Sequence, residues 1–397
     1  MAAVALTPGL AELAPLRASR EPFAVGIVGA GRQGRAILQE LQKIEGVELA
    51  AVCDTDPGRL QKAVRRVRGL RGYERLGELL EKESGLQALI VATPTHLHRG
   101  PVLAGLAAGL HVYCEAPLAS TREDSAAIAT AARGAQRVFA TGLLARSNPI
   151  YKLARSFLRS GSLRDLCSLR AQDFEKTSWR NSAPDPERER ALNWRLDPAL
   201  SLGLTGENGT HQFDAYNWLL GEYPVSVRGT GSVRVHKDGR EVADTVACEL
   251  TFADGLRLNW QSTLGNSYGG RYEVYSGSMG SFKLAWTAGW MFKEADAPTQ
   301  GWEVYAFRQS FHNDQGITLI AEATKLAAQG KLAEGVGLPE PPLHYALANF
   351  VQACTEGVEV ACSAEEGHRS TVVGIAAAAS VVSGAEAVID PKHLELR

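Results

Sequence analysis

No charge bias marks this chain. Its 397 residues carry 42 lysines and arginines against 44 aspartates and glutamates, a formal net charge of -2. That near-balance leaves no electrostatic footprint for a nucleic acid and no basic face for a membrane surface. No apolar run approaches the roughly 20 residues a helix needs to cross a bilayer. The six cysteines include no close C-x-x-C pair, so neither a disulfide framework nor a zinc cluster is indicated. Cys53 and Cys114 fall at predicted strand ends and read as small buried fillers. Internal repeats and long low-complexity tracts are also missing, which excludes a repeat array. Residues 1–22 are rich in Ala, Leu and Pro, with Arg17 and Arg20 late. A secretory signal places its basic residues first, so this extension is expected to be an arm on another subunit or the remnant of a longer leader, and the protein to be cytoplasmic.

What is present is enough chain for two domains, with the 45% hydrophobic content of a globular protein. The expected division is a first domain over 23–145 and a second over 146–397. Strands are predicted at 23–28, 47–53, 88–92, 111–114 and 137–141. Helices are predicted at 35–43, 58–68, 73–83, 98–108 and 123–133. Such alternation implies a parallel sheet covered by helices on both faces. Near residue 165 the period changes. Alternating segments at 167–174, 225–236, 245–252, 256–262, 272–275 and 281–285 are joined by turns such as Lys237-Asp238-Gly239. They imply an α+β domain with a large open, mostly antiparallel sheet and one solvated face. Helical patterns return at 209–220, 317–328, 343–355 and 365–380, and the last two are expected to pack back toward the first domain.

Between the first strand and first helix lies Gly29-Ala30-Gly31-Arg32-Gln33-Gly34. In that context Gly29 allows a tight turn, Gly31 lets backbone approach a pyrophosphate, and Gly34 lets the helix pack on the strand, the signature of a Rossmann dinucleotide site. The helix N-terminus offers free N–H groups to phosphates. Asp54, at the end of the second strand, can accept hydrogen bonds from both adenosine ribose hydroxyls and would repel a 2'-phosphate, which favours NAD over NADP. Arg32 pulls the other way.

Three further blocks are Val91-Ala92-Thr93-Pro94-Thr95-His96-Leu97-His98, His111-Val112-Tyr113-Cys114-Glu115-Ala116-Pro117 and Gly206-Glu207-Asn208-Gly209-Thr210-His211-Gln212-Phe213-Asp214. With the glycine loop they make the chain resemble the glucose-fructose oxidoreductase / inositol dehydrogenase family over nearly all residues after 22. The resemblance implies action on sugars, inositols or related polyols. It sets Thr93, Pro94, His98 and Glu115 beside the nicotinamide half of the cofactor, with Gln33 among the loop contacts, and His211 at the reacting carbon. Glu207 stands where many members have aspartate, and Asp214 matches a further acidic position. His96 and His98, two apart, are better explained by cofactor contact than by a metal, and no catalytic metal is expected.

The departure is Ala116. Most members carry Glu-Lys-Pro, with the lysine on the substrate hydroxyl. Alcohol oxidation needs a base in hydrogen-bond reach of that hydroxyl, and His211 is the candidate, oriented by Glu207 if both share a helix face. Lys176, at the edge of the second domain's first strand, is the candidate substitute for the missing lysine. Trp179, Trp194, Tyr216 and Trp218 offer flat faces to a sugar ring, the last two being mostly structural. Arg146, Arg180, Arg195 and Asn208 offer donors to hydroxyls or a carboxylate, and Tyr151 is a further proton-donor candidate. The loop 179–202 and the segment 302–311 are expected over the substrate or against a neighbouring subunit. The leading reading is an NAD-dependent oxidoreductase on a sugar, sugar acid or polyol. The alternatives are an NAD-dependent, redox-assisted glycoside hydrolase or lyase and a non-catalytic NAD-binding regulator. A homodimer or homotetramer through the open sheet is expected.

Overall fold

The computed structural model describes residues 22–183, 185–298, 307–311, 314–331 and 335–396; most of the N-terminal extension and residues 302–306 lie outside them. Short strands of Val, Ile, Leu and Ala with no polar face need cover on both sides. They build a parallel sheet from β1 (Phe23–Val28), β2 (Val47–Cys53), β3 (Arg71–Tyr73), β4 (Ala88–Val91), β5 (His111–Cys114) and β6 (Phe139–Thr141), ordered β3-β2-β1-β4-β5-β6. The crossovers run through α1 (Arg32–Leu41), α2 (Pro57–Val64), α3 (Leu76–Lys82), α4 (Arg99–Ala107) and α5 (Arg122–Gly134). Val25 and Ile27 pack with Ile37 and Leu41 of α1 in one buried cluster. Leu89 and Val91 pack with Val102 of α4 and Ile128 of α5 in another. Asp56 and Thr121 start α2 and α5 by accepting from the backbone N–H of Arg59 and Asp124.

The helix expected at 73–83 is corrected to β3 followed by a shorter α3. Arg71 and Tyr73 are drawn into the sheet edge, where both donate to Glu83, Arg71 at 2.6 Å.

After α6 (Pro149–Arg159), capped by Asn148, come β7 (Leu166–Phe174), α7 (Pro186–Leu192), α8 (Thr210–Leu220), β8 (Ser226–Ser232), β9 (Thr245–Thr251), β10 (Arg257–Thr263), β11 (Arg271–Gly277), β12 (Gly280–Leu284), β13 (Gly289–Lys293), β14 (Phe307–Phe311), β15 (Asp314–Thr318), α9 (Ala323–Ala328), α10 (Pro342–Glu356), α11 (Ala364–Ser383) and β16 (Ala387–Val388). Their sheet runs β14-β15-β13-β12-β11-β7-β10-β9-β8-β16. Its neighbours are antiparallel except β7 and β10, which are parallel. Alternation is plain on β10, where Leu258, Trp260 and Ser262 are buried and Arg257, Asn259 and Gln261 are exposed. The helix expected at 317–328 is also corrected. Ile317 and Thr318 end β15, with Ile317 and Leu319 buried, and only α9 remains helical.

The two sheets are fastened by the last helices. Leu343, Leu347 and Phe350 of α10 join the α1 cluster. On α11 a Cβ at Gly367 would stand 2.3 Å from Thr141, and one at Gly374 would stand 1.9 Å from Thr210. Those two glycines let α11 press against both the first sheet and the start of α8. Among the described residues no helix is long and apolar enough to cross a membrane.

Candidate functional site

The glycine loop leaves β1 and enters α1. Gly29 has φ +99, and a Cβ there would sit 2.5 Å from the Ala92 carbonyl oxygen. A Cβ on Gly34 would fall 1.8 Å from the Gly29 carbonyl oxygen, so only glycine lets α1 lie this close to the strand. Gly31 differs: a Cβ would meet nothing nearer than an Arg59 guanidinium nitrogen at 3.8 Å. That open cradle lies over an α1 N-terminus whose cap position makes no side-chain hydrogen bond, leaving its N–H groups for an anion. The Asp54 carboxylate is fixed beside it, accepting from the N–H of Ala30 at 2.7 Å and of Asp56 at 2.8 Å. This donor and acceptor set fits a dinucleotide. Arg32 turns across the cleft to Glu175 at 3.5 Å, and Arg188 on α7 donates to Asp56 at 2.7 Å. Both pairs bridge the two halves of the molecule at the cofactor loops.

The loops after β4 and β5 form the next part of the wall. Thr93 carries a buried hydroxyl with no hydrogen-bond partner among the described residues. His98 is buried, with Nε2 at 2.9 Å from the Thr93 carbonyl oxygen and Nδ1 at 3.0 Å from that of Pro117. Its ring nitrogens are turned to backbone, so His98, expected beside the nicotinamide half of the cofactor, ties the Thr93-Pro94 loop to the Ala116-Pro117 loop. Burial holds its imidazole down at about 4. Glu115 is also buried. Loss of solvent pushes its carboxyl up to about 7, while the Gln33 and Tyr113 side chains beside it pull the other way.

From the second domain comes a π-helical turn, Thr205–Gly209, that runs straight into α8. π-turns of this kind are frequent at functional sites. The turn carries Glu207, and α8 carries His211 one residue in. Glu207 does not orient His211. Its carboxylate accepts instead from the Thr95 hydroxyl at 2.9 Å and the Leu202 N–H at 3.4 Å, because the wider turn breaks the shared face of an i, i+4 pair. Burial raises its carboxyl above the ordinary range, against the pull of Arg195. Burial, and after it the Arg271 guanidinium, holds the His211 imidazole down at about 3; the Ala116 backbone carbonyl favours its charged form, but only weakly. Its Nδ1 is buried with no hydrogen-bond partner among the described residues.

Of the expected substrate residues, the structure gathers some and reassigns others. Trp194 is buried with its ring 5.5 Å from that of His96, and Arg195 lies 4.4 Å over Trp194 and 5.8 Å over Trp179. Arg195 is exposed and makes no hydrogen bond to any described residue. Asn208 is half-buried on the π-turn, and its carbonyl accepts from Arg271 at 3.5 Å. Lys176 is exposed one residue past Glu175, with no contact that brings it to His211.

Three substrate assignments are corrected. Arg146 is 5% exposed and spends its donors on Asp214 at 2.8 Å and Glu366 at 2.8 Å, while Ser370 also donates to Asp214. Tyr151 is core, its hydroxyl donating to buried Glu273. Arg180 is paired at the surface with Asp238 at 2.7 Å and Glu189 at 3.5 Å. Tyr216 is fully buried, and its hydroxyl donates to the Arg170 carbonyl. Trp218 packs partly against the same core. The sequence reading missed Arg271 and Trp286, whose partners are distant in the chain and leave no local pattern, and placed Arg188 over the substrate or against a neighbouring subunit, whereas it pairs with Asp56 at the cofactor loops.

The geometry agrees with what the chain matches. The family model described as "Oxidoreductase family, NAD-binding Rossmann fold" covers residues 23–143, and that described as "Oxidoreductase family, C-terminal alpha/beta domain" covers 175–388. An inositol 2-dehydrogenase of Pseudarthrobacter chlorophenolicus is 31% identical over 216 residues, 52% of this chain; the match spans 57% of that relative's length. An inositol 2-dehydrogenase of Rhizobium meliloti is 24% identical over 371 residues, 90% of this chain and 96% of the relative. A levoglucosan dehydrogenase solved in complex with NADH and L-sorbose shares the fold with a TM-score of 0.73 at 20% identity, over 93% of this chain and 99% of the other. By both of its matched halves, the chain belongs to the Gfo/Idh/MocA family of NAD-binding oxidoreductases.

Proposed function

We propose that the protein is an NAD-dependent dehydrogenase acting on a CH–OH group of a sugar, sugar acid or polyol. The observation that carries this reading is the closure of the dinucleotide loops onto the π-turn that carries Glu207 and leads into His211, fastened by the Thr95 hydroxyl donating to Glu207 at 2.9 Å. When bound, NAD supplies the two-electron acceptor. Gly29, Gly31 and Gly34 with the N-terminus of α1 hold its pyrophosphate, Asp54 its adenosine ribose, and Thr93, Pro94 and Glu115 line the nicotinamide end. Arg32 and Gln33 complete the loop.

His211 is the base. Burial keeps the ring neutral, and a neutral imidazole has one N–H and one lone pair. Its lone-pair nitrogen accepts the proton of the substrate hydroxyl. Glu207, held by Thr95, shapes the site rather than relaying protons through His211. Trp194 and Trp179 with Arg195 form a platform for one face of the sugar, and Asn208 binds a hydroxyl. Six free cysteines suit a reducing compartment such as the cytoplasm. The outer face of the second sheet, with Tyr272, Trp290 and Phe292 only half-buried, is the surface through which copies pair into a homodimer or homotetramer.

The test is to incubate the protein with NAD and a panel of sugars, sugar acids, polyols and aryl glycosides, following NADH absorbance and aglycone release together. NADH formed in proportion to substrate consumed, and lost in H211A, supports the dehydrogenase. Aglycone released without net NADH, yet abolished by stripping the cofactor, replaces it with redox-assisted cleavage.

A further inference from the structure

Position 116 has no titratable group, so its loop brings no charge to the reacting oxygen. Removing a proton from an alcohol as it is oxidised leaves negative charge on that oxygen, and a base as weak as buried His211 does not stabilise it alone. A fixed cation nearby is needed, and Arg271 meets the description. Arg271 opens β11 and is about a quarter exposed. Its guanidinium carbon lies 3.9 Å over the Trp286 ring, and one terminal nitrogen reaches the Asn208 carbonyl at 3.5 Å, three residues before His211. It is the charged group whose field acts on His211.

Two features show that this cation is held rather than incidental. Trp286 has φ +58, a left-handed conformation that a bulky side chain adopts only when its surroundings impose it. Asn148 donates to its carbonyl at 2.5 Å, and the Tyr151 ring lies 5.7 Å from its own. Second, Arg271 Nε, Trp286 Nε1 and His211 Nδ1 are all buried without a hydrogen-bond partner among the described residues. Asp173 stands 3.8 Å from Arg271 Nε, an ion-pair distance too long for a hydrogen bond. Buried polar atoms left bare on neighbouring groups point to a ligand that completes them.

We propose that Arg271, held flat on Trp286, is the catalytic cation that stabilises the negative charge developing on the substrate oxygen as His211 takes its proton. Arg271 itself neither gives nor takes a proton. The inference rests on the dehydrogenase reading above.

The test uses full-length NAD-loaded protein with the best substrate of the panel. R271A is expected to lower kcat about a hundredfold, the scale of losing one charge-stabilising donor, with KM changed less than about threefold. R271K should recover much of the loss, and millimolar guanidinium should restore turnover to R271A while tetramethylammonium does not. NADH affinity, read by fluorescence, should be unchanged in both variants, which also shows that they fold. R271A within about threefold of wild-type kcat, a loss confined to KM, or no recovery with either lysine or guanidinium overturns the proposal. A wild-type protein silent on the whole panel overturns the dehydrogenase reading instead, so the two failures are distinguishable.

Discussion

At the scale of single residues, the cofactor loop was legible because backbone shape dictates residue type. Gly29 and Gly34 cannot be replaced without collision, while Gly31 is free of the protein and reserved for a ligand. The two kinds of glycine therefore separate in a mutant. G34A should lose stability outright, whereas G31A should keep its urea midpoint and lose at least about tenfold in NAD affinity, worth about 1.4 kcal/mol. Isothermal titration beside urea unfolding checks both. An unchanged NAD affinity in G31A would remove the cradle. Arg146 and Tyr151 were misread for the opposite reason. Their partners, Asp214 and Glu273, lie 68 and 122 residues away, and nothing local marks an arginine as already committed. R146A leaves Asp214 buried without its cation, keeping only the Ser370 hydrogen bond, and should cost about 3–5 kcal/mol of stability. An R146A protein that unfolds at the wild-type urea concentration but loses substrate affinity would return Arg146 to the substrate list.

At the scale of elements, most strands and the long helices follow from period and turn residues, since alternation survives wherever one sheet face is wet. What escaped is what long-range packing decides. The π-turn at Thr205–Gly209 depends on Gly206 fitting against Leu202 and Gly209 against Phe213, so the i, i+4 spacing of Glu207 and His211 misled. α7 is a short, exposed helix with no buried residue, yet Arg188 carries it onto Asp56 beside the adenosine end of the cofactor site. That contact predicts a strap on cofactor release. An exposed ion pair contributes up to about 1 kcal/mol and is screened by salt, so R188A should speed NADH dissociation by up to about fivefold, and raising salt should bring wild type toward the variant. Stopped-flow fluorescence gives both rates, and equal, salt-independent rates would dissociate α7 from the cofactor.

At the scale of the whole molecule, buried titratable groups tie stability to pH in two opposing senses. His98 and His211 are held at about 4 and about 3, against 6.5 when unfolded. In that window the unfolded chain binds more protons, so their contribution is present above 6.5 and lost as pH falls through the folded values. Glu115 and Glu273 are raised to about 7 from 4.5. There the folded chain binds more protons, so their contribution is complete below 4.5 and lost as pH rises through about 7. The two trends offset each other between 4.5 and 6.5, and only the histidine loss remains below that. Removing one carboxyl should break the balance: relative to wild type, E273Q should gain stability from pH 5 to pH 7, read as a rising urea midpoint. A parallel pH dependence in the two proteins would mean that Glu273 does not titrate in this range.

The proposed chemistry is oxidation of a carbinol with His211 as base. The most direct check is isotopic. A sugar or polyol deuterated at its carbinol carbons is turned over with NAD, and the reduced cofactor is weighed by mass spectrometry. One deuterium on the nicotinamide ring, absent in H211A, is the expected result. Unlabelled NADH, or substrate consumed with the deuterium never leaving the sugar, would contradict a dehydrogenase.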